Sequence, residues 1–199
     1  MSALTERSQE WLEKALIQGS SEWKEFRRET IGASDAPIIL GISPWKTPLE
    51  LWEEKMGFRS GDEPSWAMLR GIELEDTARQ AFEEMTKIYV FPRVIHHSEY
   101  QWMIASLDGI DIEAKNIVEI KCPGKKDHAI AKEGKIPEKY YPQLQHQMEV
   151  CKLTEAYYFS YDGENGVLLT IKRDQAFIDK MLEKEKEFWN CMKNFIPPK

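Results

Sequence analysis

Three side chains near the middle of this 199-residue chain have the types and spacing that metal-assisted hydrolysis needs. They are Asp108, in SLDGIDI (106–112), and Glu119 and Lys121, in IVEIKCP (117–123). Both segments read as strands. Side chains two apart on a strand share a face, which puts Glu119 and Lys121 about 6–7 Å apart along it. Val118 and Ile120 then face the other way and enter the core. If Glu113 to Asn116 turns the chain back as a hairpin, Asp108 comes beside Glu119. Two carboxylates and an ammonium then meet at a strand end. Carboxylate oxygens suit hard cations such as Mg²⁺. A cation held there polarises a phosphodiester, activates water and offsets developing charge. The lysine positions the water, neutralises charge or, with a lowered pKa, helps deprotonate the water. On an ordinary surface a Glu-x-Lys pair is solvated and worth well under ~1 kcal/mol. Here the setting favours chemistry: the strand is short and apolar, an Asp-Gly precedes it and a glutamine-rich helix follows.

The elements that must position these groups follow from periodicity and punctuation. Residues 5–18 predict an amphipathic helix with Trp11, Leu12 and Ala15 on one face and Gly19 as its stop. Ser21 caps a short helix carrying Trp23 and Arg27. Thr47-Pro48 opens a helix over 48–56 that Gly57 ends. Residues 65–86 predict a longer helix, in which Gly71 costs about 1 kcal/mol relative to alanine. YVFPRVIHH, YQWMIASL and DGIDIEA predict strands. After Pro123-Gly124 come a short helix (126–133) and a second (138–151), with Tyr141, Leu144 and Met148 at helical spacing. Strands 155–161 and 167–172 flank the turn DGENG, and Asp174 caps a closing helix that ends before Pro197. Strands interleaved with helices give an α/β or α+β fold, expected as one domain over 1–199.

Composition narrows the classes. Hydrophobic residues are 42% and charged residues 31%, as in an ordinary soluble globular protein. No apolar run reaches ~20 residues, so no membrane span is expected, and MSALTERSQE lacks the apolar segment of a secretory signal. Cys122, Cys151 and Cys191 are too widely spaced for a zinc site or a disulfide framework, which suits a reducing cytoplasm. The net charge of −7 argues against a protein that coats DNA, although a local basic groove suffices to hold phosphates.

Asp108 followed by Glu119-Ile120-Lys121 within VEIKCP resembles the PD-(D/E)XK nuclease core. WKEFR (23–27), IGASDAPIILGISPWKTPLELWEEKMG (31–57), RGIELEDTAR (70–79) and YYPQLQHQMEV (140–150) narrow the resemblance to the lambda exonuclease and YqaJ-type viral recombinase family, over about residues 21–161. It implies a restriction-endonuclease-like core, a mixed β-sheet flanked by helices. It further implies that Asp108, Glu119 and the Ile120 carbonyl hold Mg²⁺ (or Mn²⁺), that Lys121 is the catalytic lysine, that Glu75 supports the metal site, and that Gln143 stands beside the active site, both counted with the catalytic residues. Arg27, Ser34 and Ser106 match positions that hold a terminal 5′-phosphate. Leu107 stands where the family usually has proline. No clear match exists for a further phosphate-binding arginine after Lys121, where Lys125 or Lys126 can substitute only as point charges.

The same residues also have plainer readings. Glu75 lies among Glu73 and Asp76, as on a solvated helix face. Ser34 can simply cap a helix beginning at Asp35, and Arg27 and Arg28 diverge by about 100° on a helix, so only one need face the site. Gln147 reads as a buried glutamine bonding backbone, and His146 as a surface or core residue. Trp45, Trp52 and Trp66 read as core or subunit contacts.

The activity implied by the resemblance is 5′-to-3′ digestion of one strand of linear double-stranded DNA to 5′ mononucleotides. The remaining 3′ single strand would serve recombination by strand annealing. It also implies a ring homotrimer, a single-strand annealing protein as partner, and a phage or prophage origin with action in the bacterial host cytoplasm. The alternatives are an endonuclease or single-strand nuclease on the same core, or a non-catalytic scaffold that binds DNA ends.

Overall fold

A computed structural model describes residues 20–61 and 65–199. The helix expected over 5–18 lies outside the described residues. The first described helix, α1 (Ser21–Arg28), is capped by Ser20 rather than Ser21, because it is the Ser20 hydroxyl that accepts from the Trp23 amide (3.1 Å). Strand β1 (Ile31–Gly32) leads through a 3-10 turn (Ala33–Asp35) into α2 (Ala36–Ile39). Ser34 does not cap this helix, and the Gly32 amide donates to the Asp35 carboxylate instead (2.9 Å). Helix α3 (Pro48–Lys55) starts at a reciprocal Thr47–Glu50 capping box with Pro48 in its first turn. Helix α4 (Trp66–Thr86) follows the Ser65 cap and carries Gly71 in open space.

Among the described residues six strands form one mixed sheet: β1, β2 (Phe91–His96), β3 (Met103–Ile110), β4 (Ile117–Lys121), β5 (Glu155–Tyr161) and β6 (Gly166–Lys172). YQWMIASL and DGIDIEA, expected as two strands, supply one continuous strand, β3. Its end at Ile110 is followed by a turn in which Ala114 adopts a positive φ of 53°. Between β4 and the parallel β5 the chain crosses over through α5 (Lys125–Lys132), a 3-10 turn (Glu138–Tyr140) and α6 (Tyr141–Cys151). Pro142 explains why the expected 138–151 helix is broken, since its ring suits only a first turn. The closing helix α7 (Gln175–Asn194) is capped by Asp174, which accepts from the Phe177 amide (3.0 Å). No described helix is long and apolar enough to cross a membrane.

Helices cover both faces of the sheet. On one face Ala78 and Phe82 of α4 pack on Val90, Val118, Ile120, Phe159 and Tyr161. On the other, Leu144 and Met148 of α6 and Ile178 and Met181 of α7 pack on Met103, Ala105, Leu107, Ile117 and Tyr158. Helix α6 is buried from Pro142 to Cys151, so its polar side chains must find partners inside. Gln145 donates to the Lys172 carbonyl and accepts from the Asp174 amide, both at 2.9 Å. His146, wholly buried, donates through Nε2 to the Ile104 carbonyl (2.9 Å) and meets Glu185 through Nδ1 (2.8 Å).

Glu149 is bonded by His97, Lys152 and Arg173. The His97 Nδ1 accepts two amides, from Glu99 and Tyr100, so its Nε2 carries the proton that Glu149 receives. Burial opposes ionisation of Glu149, but the bonds from Lys152, Arg173 and His97 outweigh it, and the carboxyl is pushed down to about 2 from an ordinary 4.5. This stabilisation is therefore present above about pH 4.5 and is lost as the pH falls through 2. Solvent reaching the Lys152 side of the cluster screens it, leaving about 1–2 kcal/mol. Urea unfolding is expected to show the stability gap between the parent and Glu149→Gln narrowing by about that amount from about pH 5 to about pH 2. A gap constant with pH would remove this role from Glu149.

Candidate active site

The register of β3 creates the site. Ile104 pairs with both Gly32 of β1 and His96 of β2, and Ile110 pairs with both Phe91 of β2 and Ile117 of β4. Strands β1 and β4 therefore share one edge of β3, with β2 along the other. On the shared edge, residues 105–108 have no strand partner. The β3–β4 ladder stops at Gly109–Val118, and where the next rung would stand the Ile120 amide donates to the Asp108 carboxylate (2.8 Å). A side chain has replaced a backbone acceptor, and the two strands part. Gly109 is required beside it, because a Cβ there would lie 2.6 Å from Val90 and 2.7 Å from Val118.

Glu119 is 1% exposed. Its Oε1 accepts from Gln143 Nε2 (2.6 Å) and pairs with Lys121 Nζ (2.5 Å), while its Oε2 accepts from Gln147 Nε2. Gln147 thus bonds a carboxylate and not backbone. Lys121 Nζ also stands 5.3 Å from the centre of the Tyr140 ring. From the opposite layer, Arg79 of α4 donates to the Asp108 carbonyl (3.0 Å) and pairs with Glu75 and Asp76 (2.7 Å each). Glu75 is tied to the site through Arg79.

The charges are not balanced. Burial raises the Asp108 carboxyl well above its usual range, and the Glu119 charge raises it further. Burial raises Glu75 too, opposed by Arg79 and assisted by Asp76 and Glu119. Burial alone would lower Lys121, but Glu119 and Asp108 outweigh it and hold the amine above its ordinary value. In this arrangement the two carboxylates hold Lys121 as an ammonium. Among the described residues no three His, Cys, Asp or Glu side chains form a closed metal cage. Two hard carboxylates with an excess of negative charge fit a cation that keeps water and phosphate among its ligands, as Mg²⁺ does.

The other expected residues gather at the β1 end of the same gap. Arg27 donates to the Ser34 hydroxyl (2.7 Å), and its guanidinium lies 4.9 Å from the centre of the Trp23 ring. The Trp23 indole donates to the Ser106 hydroxyl (3.2 Å). Beneath them is a buried pair that sequence reasoning missed. Asp35 bonds Lys55 (2.8 Å) and Arg27 (3.4 Å), and Lys55 donates to the Arg27 and Thr30 carbonyls (2.8 and 2.7 Å). Burial works against the Asp35 charge, but Lys55 and Arg27 outweigh it and lower its pKa. Lys55 sits in a run of charges, EEK, so only the tertiary contacts reveal it as internal.

Lys125 and Lys126 are exposed at the start of α5. Trp52 is buried, but Trp45 and Trp66 are 66% and 77% exposed, so the chain's own core does not hold them.

The model of the YqaJ-like viral recombinase domain matches residues 22–156. The chain is 35% identical over 193 residues to the uncharacterized protein YqaJ of Bacillus subtilis (strain 168), a match covering 94% of this chain but 60% of that relative. An alkaline exonuclease from Laribacter hongkongensis superimposes with a TM-score of 0.75 at 25% identity, over 88% of this chain and 93% of that one. Its complex with dAMP gives 0.76 over the same shares. A phage related exonuclease from Haemophilus somnus 129PT, 14% identical, shares the fold with a TM-score of 0.58, over 83% of this chain and 95% of that one. The fold is thus restriction-endonuclease-like, as expected.

Asp108→Asn keeps an acceptor for the Ile120 amide and removes one of the crowded charges. The folded-state pKa of Asp108 lies above its unfolded value, so its ionisation destabilises the fold as pH rises. Without divalent cations the variant is expected to melt about 2–4 °C above the parent at about pH 8, with the gain shrinking toward about pH 4. Equal or lower melting at the higher pH would show that Asp108 carries no such penalty.

Proposed function

Because this chain belongs to the YqaJ-like viral recombinase family, we propose that it is a nuclease that digests linear duplex DNA from a 5′ end. It releases 5′ mononucleotides and leaves a 3′ single strand for recombination by strand annealing. The observation that carries the reading is that one strand serves both groups. Ser106 and Asp108, two residues apart on the unpaired edge of β3, belong to the hydroxyl–guanidinium cluster and to the carboxylate centre respectively. Two residues span about 6–7 Å along a strand, the scale of one nucleotide step. A terminal phosphate anchored at the first centre brings the next phosphodiester to the second. The bound dAMP of the Laribacter hongkongensis enzyme supports a mononucleotide product.

In this reading Arg27, Ser34 and Ser106 donate hydrogen bonds to the terminal 5′-phosphate, and charge assistance makes the guanidinium the strongest of them. Asp108, Glu119 and the Ile120 carbonyl would hold Mg²⁺ (or Mn²⁺). When bound, that ion supplies Lewis-acid polarisation of the phosphodiester and a more acidic water. Lys121, as an ammonium, orients the attacking water and offsets charge on the phosphate. Gln143 holds Glu119 in place, and Glu75 fixes Arg79, which in turn holds the Asp108 backbone. Contacts to backbone phosphates need no base readout. A ring homotrimer around the duplex, with basic residues lining its interior, reconciles the net charge of −7 with DNA binding. A single-strand annealing protein in the bacterial host cytoplasm would take up the 3′ strand.

The test is a time course on end-labelled linear duplexes with Mg²⁺, bearing either 5′-phosphate or 5′-hydroxyl ends. The phosphorylated end is expected to be digested faster, and EDTA to stop digestion. Lys121→Ala is expected to lower the rate by about 10²–10³-fold without unfolding the chain. Arg27→Ala is expected to raise KM for phosphorylated ends by about 10–100-fold and to affect hydroxyl ends little. Equal rates on both ends together with cutting of closed circles would overturn the exonuclease reading. Binding of ends with no cleavage in Mg²⁺ or Mn²⁺ would leave a scaffold.

A further inference from the structure

Helix α6 buries the polar side chains of Gln143, Gln145, His146, Gln147 and Glu149. Within this set, only Gln147 has a buried oxygen without a hydrogen-bond partner. Its amide nitrogen is committed to Glu119 Oε2, and the assignment of the two amide atoms is forced. An ionised carboxylate only accepts, so the flipped amide would set oxygen against oxygen. A half-satisfied buried amide is a poor choice for stability, since an apolar side chain of the same size would leave no acceptor stranded. The benefit lies at its partner.

Gln143 and Gln147 are four residues apart and so lie on one helix face. They grip different oxygens of one carboxylate. Gln143 shares Oε1 with Lys121, at the more open end of the helix, where Gln143 is 9% exposed. Gln147, with no exposure at all, holds Oε2 from the buried side. A carboxylate gripped at both oxygens has no freedom to rotate about its terminal bond.

We infer that Gln147 is a positioning residue for a divalent cation: by gripping Glu119 Oε2 from the buried side while Gln143 holds Oε1, it fixes the carboxylate that would hold the ion together with Asp108. This deepens the metal-centre reading above and rests on it. Side chains that orient metal ligands in this way typically govern affinity or activity by about 10–100-fold when removed.

The test measures Mn²⁺ binding by calorimetry and steady-state digestion for the parent, Gln147→Met and Gln147→Leu. Gln145→Met is the control, because Gln145 bonds only backbone between β6 and α7. The Gln147 variants are expected to fold, to bind Mn²⁺ about 10–100-fold more weakly and to lose kcat, with KM for 5′-phosphorylated ends unchanged. Gln145→Met is expected to melt lower and to bind Mn²⁺ as the parent does. Parent-like Mn²⁺ affinity in the Gln147 variants would overturn the inference and leave the nuclease reading intact. Failure of both Gln147 variants to fold would overturn it as well, by assigning the residue to the fold. A parent that binds no divalent cation would overturn the metal centre itself.

Discussion

The hydrogen bond from the Ile120 amide to the Asp108 carboxylate ends one strand ladder and opens the site. A backbone amide in a sheet interior must be satisfied, and a carboxylate that takes it keeps oxygen capacity to spare. The substitution lets β3 and β4 part after Gly109–Val118 while leaving no donor unpaired. It also fixes Asp108 against the strand that carries Glu119. The gap between β1 and β4 follows from the same event, and both groups of candidate side chains stand along it.

Holding charged groups in such a gap requires a rigid surround, and α6 provides it at some cost to stability. An amphipathic helix would turn its glutamines to water. This one is covered on every side, so each polar side chain is matched to a particular backbone or carboxylate partner. Gln145 ties it to β6 and the start of α7, His146 to β3 and α7, and Glu149 to His97 and Arg173. These bonds set the helix's rotation and height, and through Gln143 and Gln147 they set the Glu119 carboxylate. Such polar matching specifies one arrangement more sharply than apolar packing, which tolerates many.

The hydroxyl–guanidinium cluster is built on the same plan. Arg27 has long rotamer freedom, yet it is held by the Trp23 ring, the Ser34 hydroxyl and the Asp35 carboxylate. Asp35 is in turn neutralised by the internal Lys55. A buried pair of this kind adds little net stability compared with apolar residues. Its effect is to pre-orient a guanidinium whose other donors remain available to a ligand.

Local chemistry made much of this legible in the chain. Thr47-Pro48 and Asp174 act at short range, so their helices begin where punctuation puts them. The alternation in VEIKC sends Val118 and Ile120 into the core and sets Glu119 beside Lys121. Motif order carried the family. Tertiary structure decided what depends on residues far apart in the chain. Register made one strand of two expected ones, and Pro142 shortened a helix whose period ran longer. Burial moved His146 and Lys55 inside, where their polar heads face partners from other elements. It also drew Gln147 to a carboxylate 28 residues away in sequence. Periodicity reports which face of an element is apolar. It is silent on which polar groups meet across elements, because those pairings are set by packing and not by spacing.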